Sequence, residues 1–174
     1  TRGLLKSEDL HAQNPGKVLT EVNRSLFSDL VSSELFITMA YFSYEPKSRT
    51  LSFANGGHNP SLLLRAGRDD MELLDADGMG IGFLEDVEFE EKIYQLARDD
   101  ILVIYTDGVI EAENAAGVPF GMERFQRRLQ ELRQGSPAEI VEGLYRSVMA
   151  HLGGSDPHSR QQDDITLVVL KVDE

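Results

Sequence analysis

The amino-acid sequence predicts an α+β fold: antiparallel sheets, with helices that cluster rather than alternate with the strands. Three observations predict it. Short runs of branched and aromatic residues are separated by brief turns, the pattern of an antiparallel meander. Apolar residues at helical spacing concentrate before residue 30 and after residue 121. No βαβα alternation, internal repeat, low-complexity segment or linker interrupts the 174 residues, so one domain, 1–174, is expected.

Each element has its own warrant. Asn14 can cap a helix and Pro15 suits its first turn, and Val18, Leu19, Val22, Leu26 and Phe27 give the apolar face of a helix over about 15–29. Residues 1–12 read as the end of a helix begun upstream. Phe36–Tyr44 reads as a strand, Glu45–Arg49 as a turn and Thr50–Asn55 as the returning strand, with Leu51 and Phe53 on one face. Ser61–Arg65 and Met71–Leu74 are two further strands around a turn at 66–70, and Asp77–Gly82 is a glycine-rich flexible loop. Val87–Leu96 reads as a charged, exposed strand, and Ile101–Tyr105 as an apolar one. From Gly108 a loop is expected through Gly121. Met122, Phe125, Leu129 and Leu132 then mark a second helix that Gly135 ends. Ser136-Pro137-Ala138-Glu139 is a capping-box start for a third, with Ile140, Val141, Leu144, Val148 and Leu152 as its buried stripe. After a polar loop, Ile165–Val172 is nearly all apolar and is expected to be a central strand, or one covered on both faces.

Composition narrows the function. With 41% hydrophobic and 27% charged residues the chain can bury a core. The absence of cysteine rules out disulfides, zinc thiolate sites and a cysteine nucleophile. A formal charge of −13 argues against nucleic acid and anionic membranes as partners, but not against a phosphorylated protein, because divalent cations reverse the local sign. No apolar run reaches the roughly 20 residues of a membrane span, and no signal peptide is visible, so a cytoplasmic location is expected.

Two pairs of residues carry the chemistry. Asp107-Gly108 follows the apolar strand 101–105, and Asp163-Asp164 precedes the apolar run 165–172. Carboxylates at strand ends offer hard oxygen ligands suited to Mg²⁺ or Mn²⁺. Asp-Gly is equally a common turn, and paired acids equally decorate a strand start. Spacing alone does not make the two sites neighbours. Asn55-Gly56-Gly57-His58-Asn59-Pro60 is either a tight bend exposing amides to an anion, with His58 contacting phosphate or moving a proton, or a sharp hairpin with a structural histidine. Gly78-Met79-Gly80-Ile81-Gly82 lacks the endings and setting of a nucleotide phosphate loop. His11, His151 and His158 have no partners at metal-binding spacing and read as surface residues.

Taken in order, these segments resemble the bacterial SpoIIE/RsbU-type phosphatases of the PP2C-like (PPM) metal-dependent group. Asn55–Pro60 is similar to the family's Asn-Ala-Gly-His-x-Pro, with Gly56 for Ala. Gly78–Gly82 is similar to its Gly-x-Pro-x-Gly, with Gly80 for Pro. Tyr105–Ala112 resembles Tyr-Thr-Asp-Gly-Val-Thr-Glu-Ala, with Ile110 for Thr; Asn114 and Phe120-Gly121 continue the match, and Asp163–Thr166 resembles the closing Asp-Asp-Ile-Thr.

The resemblance implies an αββα sandwich of two antiparallel sheets flanked by helices, and hydrolysis of phosphoserine or phosphothreonine in a regulatory protein. It implies two Mn²⁺ or Mg²⁺ ions in the complete domain. Asp107 and Asp163 would be catalytic metal ligands and Gly108 a carbonyl ligand through water. Asp164, His58, Asn55, Gly57 and Gly80 would lie near the site or contact substrate. The implied partner is a phosphorylated STAS-type anti-sigma-factor antagonist or similar phosphoprotein, with a sensor or receiver domain upstream in the parent protein. The family's first metal aspartate and its Gly-Asp-Val-Ser-Gly-His-Gly segment do not occur in residues 1–174. The expectation is therefore the C-terminal two-thirds of a phosphatase domain, incomplete at the N-terminus, with exposed sheet edges that favour a homodimer. A non-catalytic regulatory or protein-binding module of the same fold is the alternative.

Overall fold

The computed structural model describes residues 14–153 and 163–173. The expectation for residues 1–12, the histidines 11 and 158, and most of the 153–162 loop lie outside the described residues. The chain divides into two compact units, Thr1–His58 with Asp75–Leu96, and Asn59–Leu74 with Ala97–Glu174.

The first unit holds helix α1 (Pro15–Ser32) and a three-stranded antiparallel sheet of β1 (Met39–Glu45), β2 (Thr50–Gly56) and β5 (Lys92–Gln95), in the order β1-β2-β5. α1 starts where the cap residue predicts: Asn14 Oδ1 accepts from Lys17 N at 2.8 Å. Its apolar stripe, Val18, Leu19 and Val22, is buried with Ala54 of β2 and with Ile81 and Phe89. Leu51 and Phe53 are both 1% exposed, as their shared face predicts.

The expected strand over 87–96 shrinks to Lys92–Gln95, the part that pairs with Thr50–Phe53. Residues before it run against α1 instead. Phe89 is buried in the α1 cluster, and its N–H donates to Thr20 Oγ1 at 3.4 Å. The Asp77–Gly82 loop is not loose either. Ile37 and Ile81 exchange backbone hydrogen bonds of 3.0 and 2.8 Å. Buried Asn23 accepts from Gly82 N at 2.9 Å and donates to the carbonyls of Leu84 and Glu85 at 2.8 and 2.9 Å. A mid-helix asparagine fixes the loop's far end, which glycine content alone does not reveal.

The second unit holds β3 (Ser61–Leu64), β4 (Met71–Leu74), β6 (Ile101–Tyr105) and β7 (Leu167–Lys171) in one antiparallel sheet, in the order β4-β3-β6-β7. Its helices are a single turn α2 (Asp107–Ile110), α3 (Met122–Leu132) and α4 (Pro137–Leu152). One face of the sheet buries Leu62, Leu64, Ile101, Val103 and Tyr105 with Phe125, Leu129, Ile140, Leu144 and Val148 of the helices. Asp100, 1% exposed, ties β3 to β6: its carboxylate accepts from Ala66 N, Ala97 N and Arg65 Nη1 at 2.8–2.9 Å.

Two expectations need correction here. β7 lies at the edge of its sheet, and Val168 is 50% exposed. Leu167 and Val169 pack on the helical core, so the apolar run reports one buried face and not a central place. The stretch after Tyr105 is not a plain loop. Glu111 N donates to Asp107 O at 2.9 Å to close the α2 turn, and Ala112–Phe120 folds back on itself, with Phe120 N bonded to Ala112 O at 2.8 Å. Asn114 Oδ1 holds the tip by accepting from Ala116 N and Val118 N. Among the described residues, no helix is long and apolar enough to cross a membrane.

Candidate functional site

β6 and β7 pair from Ile101↔Lys171 to Tyr105↔Leu167. That register carries the chain ends beyond them into contact. Thr106 N donates to Thr166 O at 3.2 Å. The Thr106 hydroxyl continues the join from its side chain, donating to Asp164 O at 2.8 Å and accepting from Thr166 N at 2.9 Å. Asp107-Gly108 and Asp163-Asp164, far apart in sequence, thus stand side by side in the second unit.

Gly108 shows how close they are. A Cβ on it would lie 2.6 Å from Asp164 O and 3.0 Å from Asp163 O, both backbone atoms. Only glycine admits that approach. Each carboxylate is steadied by the next residue's amide: Asp107 Oδ1 accepts from Gly108 N at 3.0 Å, and Asp163 Oδ1 from Asp164 N at 2.7 Å. Asp107 is half-buried, while Asp163 and Asp164 are exposed.

The groups offered here are all oxygen: the carboxylates of Asp107 and Asp163 and the backbone carbonyls of Asp163 and Asp164 beside Gly108. That chemistry fits a hard divalent cation such as Mg²⁺ or Mn²⁺ and not a thiophilic one. The set is small: among the described residues no group of three or more His, Cys, Asp or Glu side chains is placed to hold a metal.

The other candidates lie in the first unit and come together there. Asn55 is 4% exposed, and all its polar capacity is turned inward. Its Nδ2 donates to His58 O at 2.8 Å and Asp75 Oδ1 at 2.9 Å, and its Oδ1 accepts from His58 N at 2.8 Å. Asn55 therefore shapes the bend that presents His58 and has no donor left over for a substrate. Gly57, at φ +74°, packs back to back with Gly80, whose N would be 2.8 Å from a Cβ on Gly57. A Cβ on Gly78 would meet Asn55 O. The two glycine-rich motifs are thus one feature, a backbone-on-backbone contact that side chains would prevent.

Thr106 is the residue that motif reading missed as a participant. The available signal was a hydroxyl residue at the strand's exit, next to Asp-Gly, where it can bond a crossing chain.

The family model of Stage II sporulation protein E (SpoIIE) matches residues 1–173. The phosphoserine phosphatase RsbU of Bacillus subtilis (strain 168) is 29% identical over 91% of this chain and 45% of its own length. The phosphoserine phosphatase RsbP of the same organism is 32% identical over 91% of this chain and 37% of its own length. The chain thus spans less than half the length of these relatives. Among solved structures, the PP2C phosphatase domain of the cell fate determinant SpoIIE from Bacillus subtilis, with a fragment of its regulatory domain, superposes with a TM-score of 0.76 at 22% identity. That match covers 98% of this chain and 47% of the solved one. The likeness establishes the fold class, an αββα arrangement of two antiparallel sheets flanked by helices. With a family match over nearly its whole length and the PP2C-like fold, this chain belongs to the SpoIIE family.

Proposed function

We propose that residues 1–174 belong to a single metal-dependent phosphatase domain that hydrolyses phosphoserine or phosphothreonine in a regulatory phosphoprotein. The observation that carries the reading is the join at the ends of β6 and β7, which sets Asp107-Gly108 against Asp163-Asp164. The names of the relatives RsbU and RsbP, both phosphoserine phosphatases, supply the reaction class. In this reading Asp107 and Asp163 hold Mn²⁺ or Mg²⁺, two ions in the complete domain, with the Gly108 carbonyl beside them. Bound divalent ions would lower the pKa of a water and offset phosphoryl charge. Thr106 fixes the crossing chain, Gly108 leaves it room, and Asp164 adds negative charge next to the pair. The Asn55 clamp presents His58 at its own bend, with Gly57 and Gly80 allowing the backbones to meet. The substrate class is a phosphorylated STAS-type anti-sigma-factor antagonist or a similar phosphoprotein, met in the cytoplasm, with an upstream sensor or receiver domain and pairing of two copies as further parts of the proposal.

The test is release of phosphate from phosphoserine protein and from an aryl phosphate, with Mn²⁺, by the natural protein that carries this sequence. Turnover abolished by chelation and by Asp107→Asn is the expected result. Inactivity on every phosphoprotein and on the aryl phosphate would overturn the proposal.

A second reading, a non-catalytic module of the same fold, is favoured by one observation: the described residues place no three metal-ligating side chains together. Calorimetry with Mn²⁺ separates the two. Tight binding lost in Asp107→Asn supports the metal-bearing reading, and no binding supports the module.

A further inference from the structure

We propose that the arginine-bearing face of α3 forms a binding site for a phosphoryl-class oxyanion in the second unit. A cavity of about 180 Å³ there is lined by Phe120, Arg124, Arg127, Arg128, Glu131 and Ser147. Three guanidinium groups against one carboxylate leave two positive charges on this wall, in a chain whose formal charge is −13. Arg124 and Arg128 stand four residues apart, and Arg124 and Arg127 three apart, so their charges repel along one helix face. Such a cluster works against helix stability, and the one carboxylate on the wall, Glu131, offsets it only in part.

The hydrogen bonding points the same way. Arg124 is anchored, its Nη1 donating to the carbonyls of Pro119 and Phe120 at 3.1 and 2.9 Å. Arg128 donates from Nη1 to Glu131 Oε2 at 2.6 Å, but its Nε is buried without an acceptor. The buried Nε is closed to a ligand, but the Arg128 side chain is 38% exposed, and an incoming oxyanion with several acceptor oxygens competes with Glu131 for its outer N–H groups. Arg127 is exposed at the rim. Ser147 of α4 also lines the cavity, with its proton committed to Gly143 O at 2.8 Å, so the arginines alone supply the donors. Planar guanidinium forks match phosphate oxygens, and a phosphoryl group carries about −1.5 to −2 charge near neutrality, close to the surplus on the wall.

The experiment is calorimetric titration in chelator, which removes any metal-borne phosphate binding, using inorganic phosphate, phosphoserine and an unphosphorylated glutamate-rich peptide as separate probes. Saturable one-site binding of phosphate or phosphoserine is expected, about tenfold weaker in Arg127→Gln. Glu131→Gln is expected to bind severalfold tighter, because it frees Arg128 and adds net positive charge. A misfolded variant would not tighten. Tighter phosphoserine than phosphate binding assigns the site to a phosphorylated side chain, and the reverse order assigns it to the free ion; either supports the proposal. No saturation at phosphate on the order of 10 mM, affinity unchanged in both variants, or equal binding of the unphosphorylated peptide would overturn it.

Discussion

The Thr106 hydroxyl makes two hydrogen bonds of opposite sense, to Asp164 O and from Thr166 N, and so extends the β6–β7 join past the last paired residues. Valine has nearly the same shape and neither bond. Thr106→Val is expected to cost about 1 kcal/mol in urea unfolding, because the freed groups are water-accessible, and to weaken Mn²⁺ binding by calorimetry, with Thr106→Ser restoring both. If Mn²⁺ affinity is unmoved in the valine variant, Thr106 does not position the acidic segment. Gly108 gives a sharper test. Alanine is the better helix former by about 1 kcal/mol, so in an uncrowded turn Gly108→Ala would stabilise. With Asp164 O 2.6 Å from the new Cβ, the expected result is the opposite, a loss of about 1–3 kcal/mol with loss of Mn²⁺ binding. Asp107 and Asp163 were readable as strand-end carboxylates, since each flanks an apolar run. Their adjacency was not, because it depends on the pairing of Tyr105 with Leu167, a long-range fact that no local pattern encodes.

Elements whose ends carry their own chemistry were legible, and those defined by distant partners were not. α4 begins where its capping box predicts: Ser136 N and Oγ both donate to Glu139 Oε2, at 2.7 and 2.8 Å. These two bonds, backbone first, hold the Glu139 carboxyl below the usual glutamate value of 4.5. A carboxyl whose folded value is depressed stabilises above its unfolded value and loses that contribution as pH falls through the folded one. Acid unfolding below about pH 4.5 is therefore expected to be shallower in Glu139→Gln than in the parent, read by circular dichroism against pH. Asp100, by contrast, reads as the second half of an ordinary Asp-Asp turn. Only the fold shows it buried, accepting from Arg65 and two amides. Asp100→Ala takes the acceptor from the Ala66 and Ala97 amides and removes a buried carboxylate from Arg65, whose ion pair with Glu72 remains. A loss of about 3–5 kcal/mol is expected in denaturant unfolding, and a loss under about 1 kcal/mol would show that the buried pair is not what joins β3 to β6. β7 was misplaced for the same reason as Asp100 was overlooked: an apolar run reports burial of a face, while strand order is decided by what the other strands do.

At the scale of the whole molecule, each compact unit is assembled from two stretches of chain, so β5 pairs with a strand about forty residues before it and β7 joins one about sixty residues before it. The class of fold survives such crossings in the sequence, because strand and helix periodicities are local; the strand order does not. Stability of the second unit should report one residue at its centre. Tyr105 closes β6, is 2% exposed and meets the Phe125 ring edge-on at 5.0 Å and 61°. Burial raises its phenol above the usual 10.0. The unfolded chain then ionises first as pH climbs, the native state holds the extra proton, and stability falls as pH rises from about 10 through the higher folded value. Below that window the contribution is fully present. Urea unfolding from pH 8 to 11 is expected to show a declining limb that Tyr105→Phe removes in part, since phenylalanine keeps the ring contact and has no proton to lose. The other tyrosines and the lysines are present in both proteins, so the difference between the two curves isolates Tyr105. If that difference stays flat across pH 10, the phenol is solvated in the native state, and the core of the second unit is more open at the end of β6, directly before Thr106 and Asp107, than its burial indicates.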